Sequence, residues 1–155
     1  MKYIKPVCCA MALSVSWSGF AAYETVDGVT WYYSIVSGNA RVTSVSPSSG
    51  TVTMPSKLGG YDVTSIATNA FRSSNLLGMT IGNGVLTIGN SAFRGCSRLK
   101  NVTIPNSVKT IENFALAECS SLETVAIPDS VEYIGPSAFS SCSGLTRGWP
   151  ADFMQ

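Results

Sequence analysis

Histidine is missing from all 155 residues of the sequence, and charged side chains are scarce. Without histidine the chain cannot form a serine–histidine–aspartate triad, a histidine general base or a histidine-ligated metal site. Lys, Arg, Asp and Glu together make up 12% of the residues, which is about half their share in an average soluble protein. We therefore expect a protein that is not an enzyme, with no catalytic residue, metal ligand or cofactor.

The few charges are also evenly distributed. Ten basic residues against nine acidic ones give a net charge of +1, and no basic cluster offers the positive patch that nucleic acids require. The acids Glu112, Glu118 and Asp129 fall at unrelated positions, so they do not predict the paired carboxylates of a glycosidase. Serine (23) and threonine (13) are abundant instead, and 45% of the residues are hydrophobic, enough for a packed core.

Residues 1–21 have the layout of a secretory signal peptide. Two lysines precede an apolar stretch over residues 7–15, and Gly19 and Ala21 place small side chains at positions −3 and −1 of a cut after Ala21. A membrane anchor is the alternative, but the apolar stretch is short for a bilayer span. We expect a secreted, periplasmic or cell-surface protein with no membrane span after cleavage.

A repeat of 23 residues follows from the spacing of Cys96, Cys119 and Cys142. The unit reads L-x-x-V-x-I-P-x-S-V-x-x-I-x-x-x-A-F-x-x-C-S-x. Other apolar positions keep the same period: Leu76, Leu99, Leu122 and Leu145; Met79, Val102 and Val125; Ile88, Ile111 and Ile134; Ala92, Ala115 and Ala138; Phe93, Leu116 and Phe139. One such unit cannot close a hydrophobic core, whereas stacked copies can, so the repeat predicts a solenoid.

Each unit contains local signals for short elements. Val102–Ile104 alternates and is β-rich, Pro105 ends this strand, and Val108–Ile111 forms a second extended piece. The segments 91–93 and 136–139 predict a short helical turn in each coil. Equivalent strands of successive coils should pair in parallel, about 4.8 Å apart, in a right-handed solenoid.

The unit resembles the BspA-like leucine-rich repeat, whose copies read roughly I-G-x-x-A-F-x-x-C-x-x-L-x-x-V-x-I-P-x-S-V. The resemblance covers residues 61–145 closely and 23–60 loosely. It implies a leucine-rich-repeat solenoid in a secreted or surface protein of bacteria or some protists. It also implies adhesion to host or neighbouring-cell proteins. The expected domains are the signal peptide 1–21, an N-terminal β-rich cap 22–60, leucine-rich repeats 61–146 and an atypical C-terminal tail 147–155.

The N-terminal segment predicts an antiparallel β-cap over the first coil. Asp27-Gly28 is a tight-turn signal between two β-rich stretches. The segment also carries Trp31, Tyr32 and Tyr33, which have two interpretations. Their rings could simply pack into the cap, or they could form an aromatic patch for a glycan or peptide, since Trp and Tyr are enriched in binding sites.

Three interpretations compete for the column Cys96, Cys119 and Cys142. A metal site is disfavoured because stacked side chains point along a line and not at a common centre. A disulfide between neighbouring coils is compatible with export, but it would leave one cysteine unpaired. A column of reduced thiols buried in the core is the preferred interpretation, because free cysteine behaves as a small hydrophobe.

The outward side of the first strand in each coil is the candidate binding face. Lys100 and Glu123 lie one period apart there, as do Lys109 and Glu132 elsewhere in the unit, so we expect cross-coil ion pairs worth about 0–1 kcal/mol each. The candidate positions, mostly polar and of mixed charge, are Leu77, Gly78, Thr80, Lys100, Asn101, Thr103, Glu123, Thr124 and Ala126.

Three functional hypotheses follow. The first is a secreted, non-enzymatic module for protein–protein interaction or adhesion, acting as a monomer on an extracellular protein or cell-surface ligand. The second is a truncated or structural repeat fragment without a function of its own; its tail, with Trp149 and Phe153, would be either a minimal cap or the mark of a shortened reading frame. The third is a carbohydrate-binding module that uses the N-terminal aromatic residues.

Overall fold

The computed structural model describes residues 21–145, and these form a β-solenoid of stacked coils. The predicted signal peptide, apart from Ala21, and nearly all of the predicted tail lie outside the described residues. Twelve strands occur in chain order: β1 Ala21–Val26, β2 Val29–Val36, β3 Asn39–Ser46, β4 Ser49–Thr53, β5 Lys57–Leu58, β6 Tyr61–Ile66, β7 Asn75–Thr80, β8 Thr87–Ile88, β9 Asn101–Thr103, β10 Thr110–Ile111, β11 Thr124–Ala126 and β12 Tyr133–Ile134.

The strands form two main sheets, and each coil contributes one strand to each of them. Sheet A has the order β1-β2-β3-β6-β8-β10-β12, with β5 attached to β6, and sheet B has the order β4-β7-β9-β11. From β6 to β12 and throughout sheet B the pairing is parallel. This is the parallel stacking that the 23-residue period predicts, because equivalent residues of successive coils become neighbours.

The N-terminal segment forms the predicted antiparallel hairpin. Asp27 and Gly28 link β1 to β2 with φ angles of 50° and 80°, and Ser37 and Gly38 link β2 to β3 with 51° and 77°. Positive φ at both central residues is what a tight turn between twisted strands requires. Strand β3 then pairs in parallel with β6, so the cap continues directly into the solenoid.

Parallel stacking starts upstream of residue 61, the expected first residue of the repeats. Strand β4 pairs in parallel with β7 through Val52 and Met79, and β3 pairs in parallel with β6. The segment 39–53 therefore supplies one strand to each sheet, as the later coils do. In the sequence, this part of the chain resembles the repeat only around Val52 to Pro55.

The expectation of a helical turn in each coil is wrong. Residues 21–145 contain no helix, and hence none long and apolar enough to cross a membrane. In the segment 91–96, alternate amides bond locally, as Ala92 N does to the Gly89 oxygen at 3.1 Å, while the others bond to the next coil, as Phe93 N does to the Ala115 oxygen at 2.7 Å.

This alternation explains why a helix is excluded. A helix needs every interior amide to bond within its own segment, and here every second amide is rotated towards the neighbouring coil. The rotation requires left-handed backbone at recurring non-glycine positions in these turns, namely Asn69, Ser73, Ser91, Phe114, Glu118, Ser137 and Ser141.

The core is one continuous set of columns along the solenoid axis. The Phe71 and Phe93 rings stack with centroids 5.0 Å apart, and the Trp31 ring packs edge-on to Phe71 at 6.5 Å. Trp31 thereby ties the N-terminal cap to the first coil. The other buried columns are Leu76, Leu99, Leu122 and Leu145; Ile66, Ile88 and Ile111; Val85 and Val108; and Ala92, Ala115 and Ala138.

Candidate functional site

The outer face of sheet B presents two straight rows of side chains. Its inward-facing residues, such as Met79 and Val102, are buried in the core. The outward residues alternate with them because side chains of a strand point to opposite faces in turn. In register across the four strands, the rows are Thr51, Gly78, Asn101 and Thr124, and Thr53, Thr80, Thr103 and Ala126.

Seven of the nine candidate face positions are exposed, Thr80 is half-buried and Gly78 is buried. A methyl group on Gly78 would lie 2.7 Å from the Asn101 Oδ1 and 3.2 Å from the Thr51 side chain. These two neighbours fill the space that glycine leaves, so Gly78 offers no surface of its own. The exposed positions are Leu77, Lys100, Asn101, Thr103, Glu123, Thr124 and Ala126.

A third row consists of Leu77, within β7, and of Lys100 and Glu123, which directly precede β9 and β11. The Lys100 amide donates to the Leu77 oxygen at 2.9 Å and the Glu123 amide donates to the Lys100 oxygen at 3.0 Å. The Lys100 Nζ lies 3.9 Å from the Glu123 Oε1, with side chains 60% and 67% exposed. An ion pair that long and that exposed contributes little to folding, so both charges remain available to a partner.

Sheet A has an equivalent row, in which a leucine, a lysine and a glutamate again occur in that order along successive coils. The Lys109 amide donates to the Leu86 oxygen at 2.9 Å, and the Glu132 amide donates to the Lys109 oxygen at 2.8 Å. The Lys109 Nζ pairs with the Glu132 Oε1 at 2.7 Å. Leu86 is exposed, and so is Tyr133, which follows Glu132 in the chain. Sequence reasoning left both out of the candidate sites, although the 23-residue period places Leu86 in line with Lys109.

The three N-terminal aromatic residues do not form one patch. Trp31 is 0% exposed and Tyr33 6%, whereas Tyr32 is 38% exposed on the opposite face of β2. The alternation of side chains along a strand separates them. The Tyr32 ring packs instead against Tyr23, with centroids 6.0 Å apart. The surface proposed around Trp31, Tyr32 and Tyr33 is therefore corrected to the pair Tyr23 and Tyr32.

Trp31 and Tyr33 belong to the contacts that hold the cap. The Trp31 Nε1 has no hydrogen-bond partner within the described residues. The Tyr33 hydroxyl occupies the space that a side chain at position 59 would need, so only glycine fits there. The Gly59 backbone amide donates a hydrogen bond to the Glu24 Oε2 at 2.7 Å. Burial raises the pKa of Tyr33, and the nearby charges of Glu24 and Tyr61 add to this effect.

The cysteine column lies inside the core, and its three members are not in disulfides. Each thiol donates to a carbonyl oxygen of the preceding coil: Cys96 to Phe71 at 3.0 Å, Cys119 to Phe93 at 3.2 Å and Cys142 to Leu116 at 3.1 Å. The column continues upstream in Ser74, whose Oγ lies 3.2 Å from the Cys96 Sγ. Sequence reasoning noted a missing residue here but did not assign Ser74 to the column.

The central thiol differs from its neighbours in proton affinity. Hydrogen bonding with Cys142 and Cys96, followed by burial, raises the pKa of Cys119. Hydrogen bonding with Cys119 lowers the pKa of Cys96 to about 7, against the opposing effect of burial. Within residues 21–145 no group of three His, Cys, Asp or Glu side chains is arranged to hold a metal ion.

Comparison with known families identifies these coils. Residues 64–148 match the model of the BspA type leucine rich repeat region in six copies. The chain belongs to this family. BspA-type repeats generally serve as protein-interaction modules, are typically not enzymes, and are typically found in secreted or surface proteins. No curated protein matches the chain in sequence.

Solved leucine-rich repeat proteins share the fold of this BspA-type chain. The T. pallidum protein TpLRR is 30% identical, with a TM-score of 0.72, over 74% of this chain and 55% of its own. A protein from Bacteroides capillosus is 27% identical, with a TM-score of 0.64, over 72% and 86%. One from Bacteroides ovatus is 26% identical, with a TM-score of 0.61, over 78% and 39%. The chain thus spans about half the length of TpLRR.

Proposed function

We propose that this BspA-type protein is an exported, monomeric and non-enzymatic interaction module that binds an extracellular protein or a cell-surface ligand. The observation that carries the proposal is the outer face of sheet B. Its exposed side chains stand in straight rows above a buried core layer.

The chemistry of the face suits a protein partner. Leu77 is 37% exposed and supplies an apolar contact beside the weakly paired charges of Lys100 and Glu123. Amide and hydroxyl groups of Asn101 and Thr103 add donors and acceptors in a fixed spacing. Protein interfaces combine apolar contacts with a rim of polar groups in this way, and a rigid sheet loses little entropy on binding.

The binding test uses residues 22–155 on an array of purified extracellular-matrix and cell-surface proteins. The double substitution Lys100→Glu and Thr103→Arg should weaken any specific binding about tenfold or more, because it reverses one charge and adds another in the interface. The matched control is Lys109→Glu with Thr110→Arg, which makes the same two charge changes on sheet A. Equal loss in both variants, or unchanged binding in the first, contradicts the assignment to sheet B.

Export has its own test. The full chain expressed in a bacterial host should be recovered outside the cytoplasm with Ala22 as its first residue, because the small side chains of Gly19 and Ala21 suit signal peptidase. The variant Ala21→Lys should stay uncleaved. Recovery of the wild-type chain in the cytoplasm with Met1 intact would contradict the proposal. Light scattering on the exported chain checks that it is a monomer.

A further inference from the structure

A groove of about 430 Å³ opens on the outer side of sheet A, on the other sheet from the proposed interaction face. It lies where the N-terminal cap joins the first coils. Its volume falls in the range of small-ligand sites. The lining residues that matter here are Asn39, Arg41, Ser65, Leu86, Thr87 and Glu112.

A bulge in β6 and the turn between β2 and β3 shape this groove. Where β3 pairs with β6, Ala40 faces Val63 but Arg41 faces Ser65, so Thr64 is an extra residue in β6. Such bulges bend a strand and redirect side chains, and they are frequent beside functional sites. The β2–β3 turn, through Ser37, forms one end of the groove.

Arg41 brings an uncompensated positive charge to the groove. Its side chain is exposed, and none of the carboxylates in residues 21–145 lies within ion-pair distance of it. Four other basic side chains of the same region do form ion pairs, namely Lys57, Arg94, Lys100 and Lys109. A guanidinium with free donors recognises a carboxylate through two parallel hydrogen bonds.

Glu112 bounds the groove on the side of the later coils. Its Oε2 accepts a hydrogen bond from the Asn90 amide at 2.8 Å, which holds the side chain back over the preceding coil. The Oε1 atom can still accept a hydrogen bond from a ligand. Asn90 follows β8, and β6 lies between β8 and β3. Because neighbouring strands are about 4.8 Å apart, the Glu112 carboxylate lies roughly 10 Å from the row of side chains that contains Arg41.

Hydroxyl groups and one apolar side chain lie between these two charges. Ser65 and Thr87 face each other across β6 and β8, and a hydroxyl can donate or accept as a ligand requires. Leu86, 47% exposed, adds an apolar surface that suits the C–H face of a sugar ring. A row of hydroxyls between a free cation and a carboxylate acceptor fits a ligand that is rich in hydroxyl groups and places an acidic group on Arg41.

We propose that this groove binds a short acidic oligosaccharide, with a uronate carboxylate on Arg41 and sugar hydroxyls on Ser65, Thr87 and the Glu112 carboxylate. A peptide is disfavoured because strands β3, β6 and β8 are each paired on both sides, so no strand edge is open for an extended backbone. The site is separate from the sheet B interaction face.

Calorimetric titration of residues 22–155 with digalacturonate, dimannuronate and a hyaluronan tetrasaccharide tests the proposal. Galabiose, the neutral counterpart of digalacturonate, is the control ligand. At least one uronate fragment should bind about tenfold more tightly than galabiose, since the carboxylate pairs with Arg41. Its affinity should fall as the sodium chloride concentration rises, because salt screens this exposed charge pair.

Two substitutions assign the binding to the groove. Arg41→Gln should weaken uronate binding about tenfold, whereas Arg72→Gln, at another exposed arginine without an ion pair, should leave it unchanged. Thr87→Val should weaken it about fivefold, the equivalent of one hydrogen bond. Thermal unfolding checks that each variant is folded. The proposal is overturned if the wild type does not bind uronates, or if Arg41→Gln binds them equally well. The Lys100→Glu and Thr103→Arg variant of sheet B should keep uronate binding.

Discussion

The Cys119 thiol donates a hydrogen bond to the carbonyl oxygen of Phe93, 3.2 Å away in the preceding coil. The same bond recurs between Cys96 and Phe71 and between Cys142 and Leu116. Each cysteine thus fills a core position as a small hydrophobe and also donates a hydrogen bond to a carbonyl oxygen of the preceding coil. The cysteine column therefore links successive coils through hydrogen bonds.

The thiols of this column should be protected in the folded protein. Residues 22–155 should react slowly with a thiol reagent at pH 8, because the three cysteines are fully buried. Denaturation without a reductant should release three reactive thiols per chain. A count of one free thiol would instead establish a disulfide between two of the coils.

The stacked phenylalanine rings should dominate the stability of the first coils. Phe93→Ala should lower the free energy of unfolding by about 3–5 kcal/mol, since it empties a fully buried site against Phe71. Leu86→Ala, on an exposed side chain of the same coil, should cost less than about 1 kcal/mol. Urea unfolding followed by circular dichroism measures both, and similar losses in the two variants would contradict this packing.

Substitution by alanine should change the free energy of unfolding differently at Gly89 and at Gly78. In Gly89→Ala the new Cβ would lie 2.5 Å from the Ile66 carbonyl oxygen, so the backbone of the preceding coil must shift, at a cost of about 1–3 kcal/mol. In Gly78→Ala the nearest atom is the movable Asn101 Oδ1, and the change should stay within about 0.5 kcal/mol. Equal unfolding midpoints in urea for the two variants would refute the backbone contact at Gly89.

Alkaline pH should weaken the cap through Tyr33. Because burial, and then Glu24, raise the pKa of Tyr33 in the folded state, its contribution to stability is complete below about pH 10, the ordinary tyrosine value. It is lost as the pH rises through the higher folded-state pKa. Urea midpoints of the wild type should therefore fall more steeply above pH 10 than those of Tyr33→Phe. Tyr32→Phe, on an exposed ring, should follow the wild type.

Much of the fold could be predicted from particular residues. The 23-residue spacing of Cys96, Cys119 and Cys142 predicts parallel coils because a solenoid places equivalent residues in contact. The same spacing predicts the ion pair between Lys109 and Glu132, found at 2.7 Å. The turn at Asp27 and Gly28 predicts the hairpin of the cap, since few residue pairs adopt positive φ at both positions.

Other features depend on contacts between coils that no local pattern encodes. The segment 91–93 predicts a helical turn, but alternate amides of residues 91–96 bond to the next coil and exclude a helix. Gly78 has the place of a surface residue in its strand, yet the side chains of Thr51 and Asn101 cover it. Neither effect can be seen from one repeat, because the partner atoms come from another.

The candidate sites show the same division. The period and the alternation along each strand are properties of the chain, and they predict most of the columns that enter the core. Only the assembled coils bring the isolated charge of Arg41, the hydroxyls of Ser65 and Thr87 and the carboxylate of Glu112 into one groove. These residues come from four different strands or turns, and the extra residue Thr64 in β6 brings Arg41 into register with Ser65.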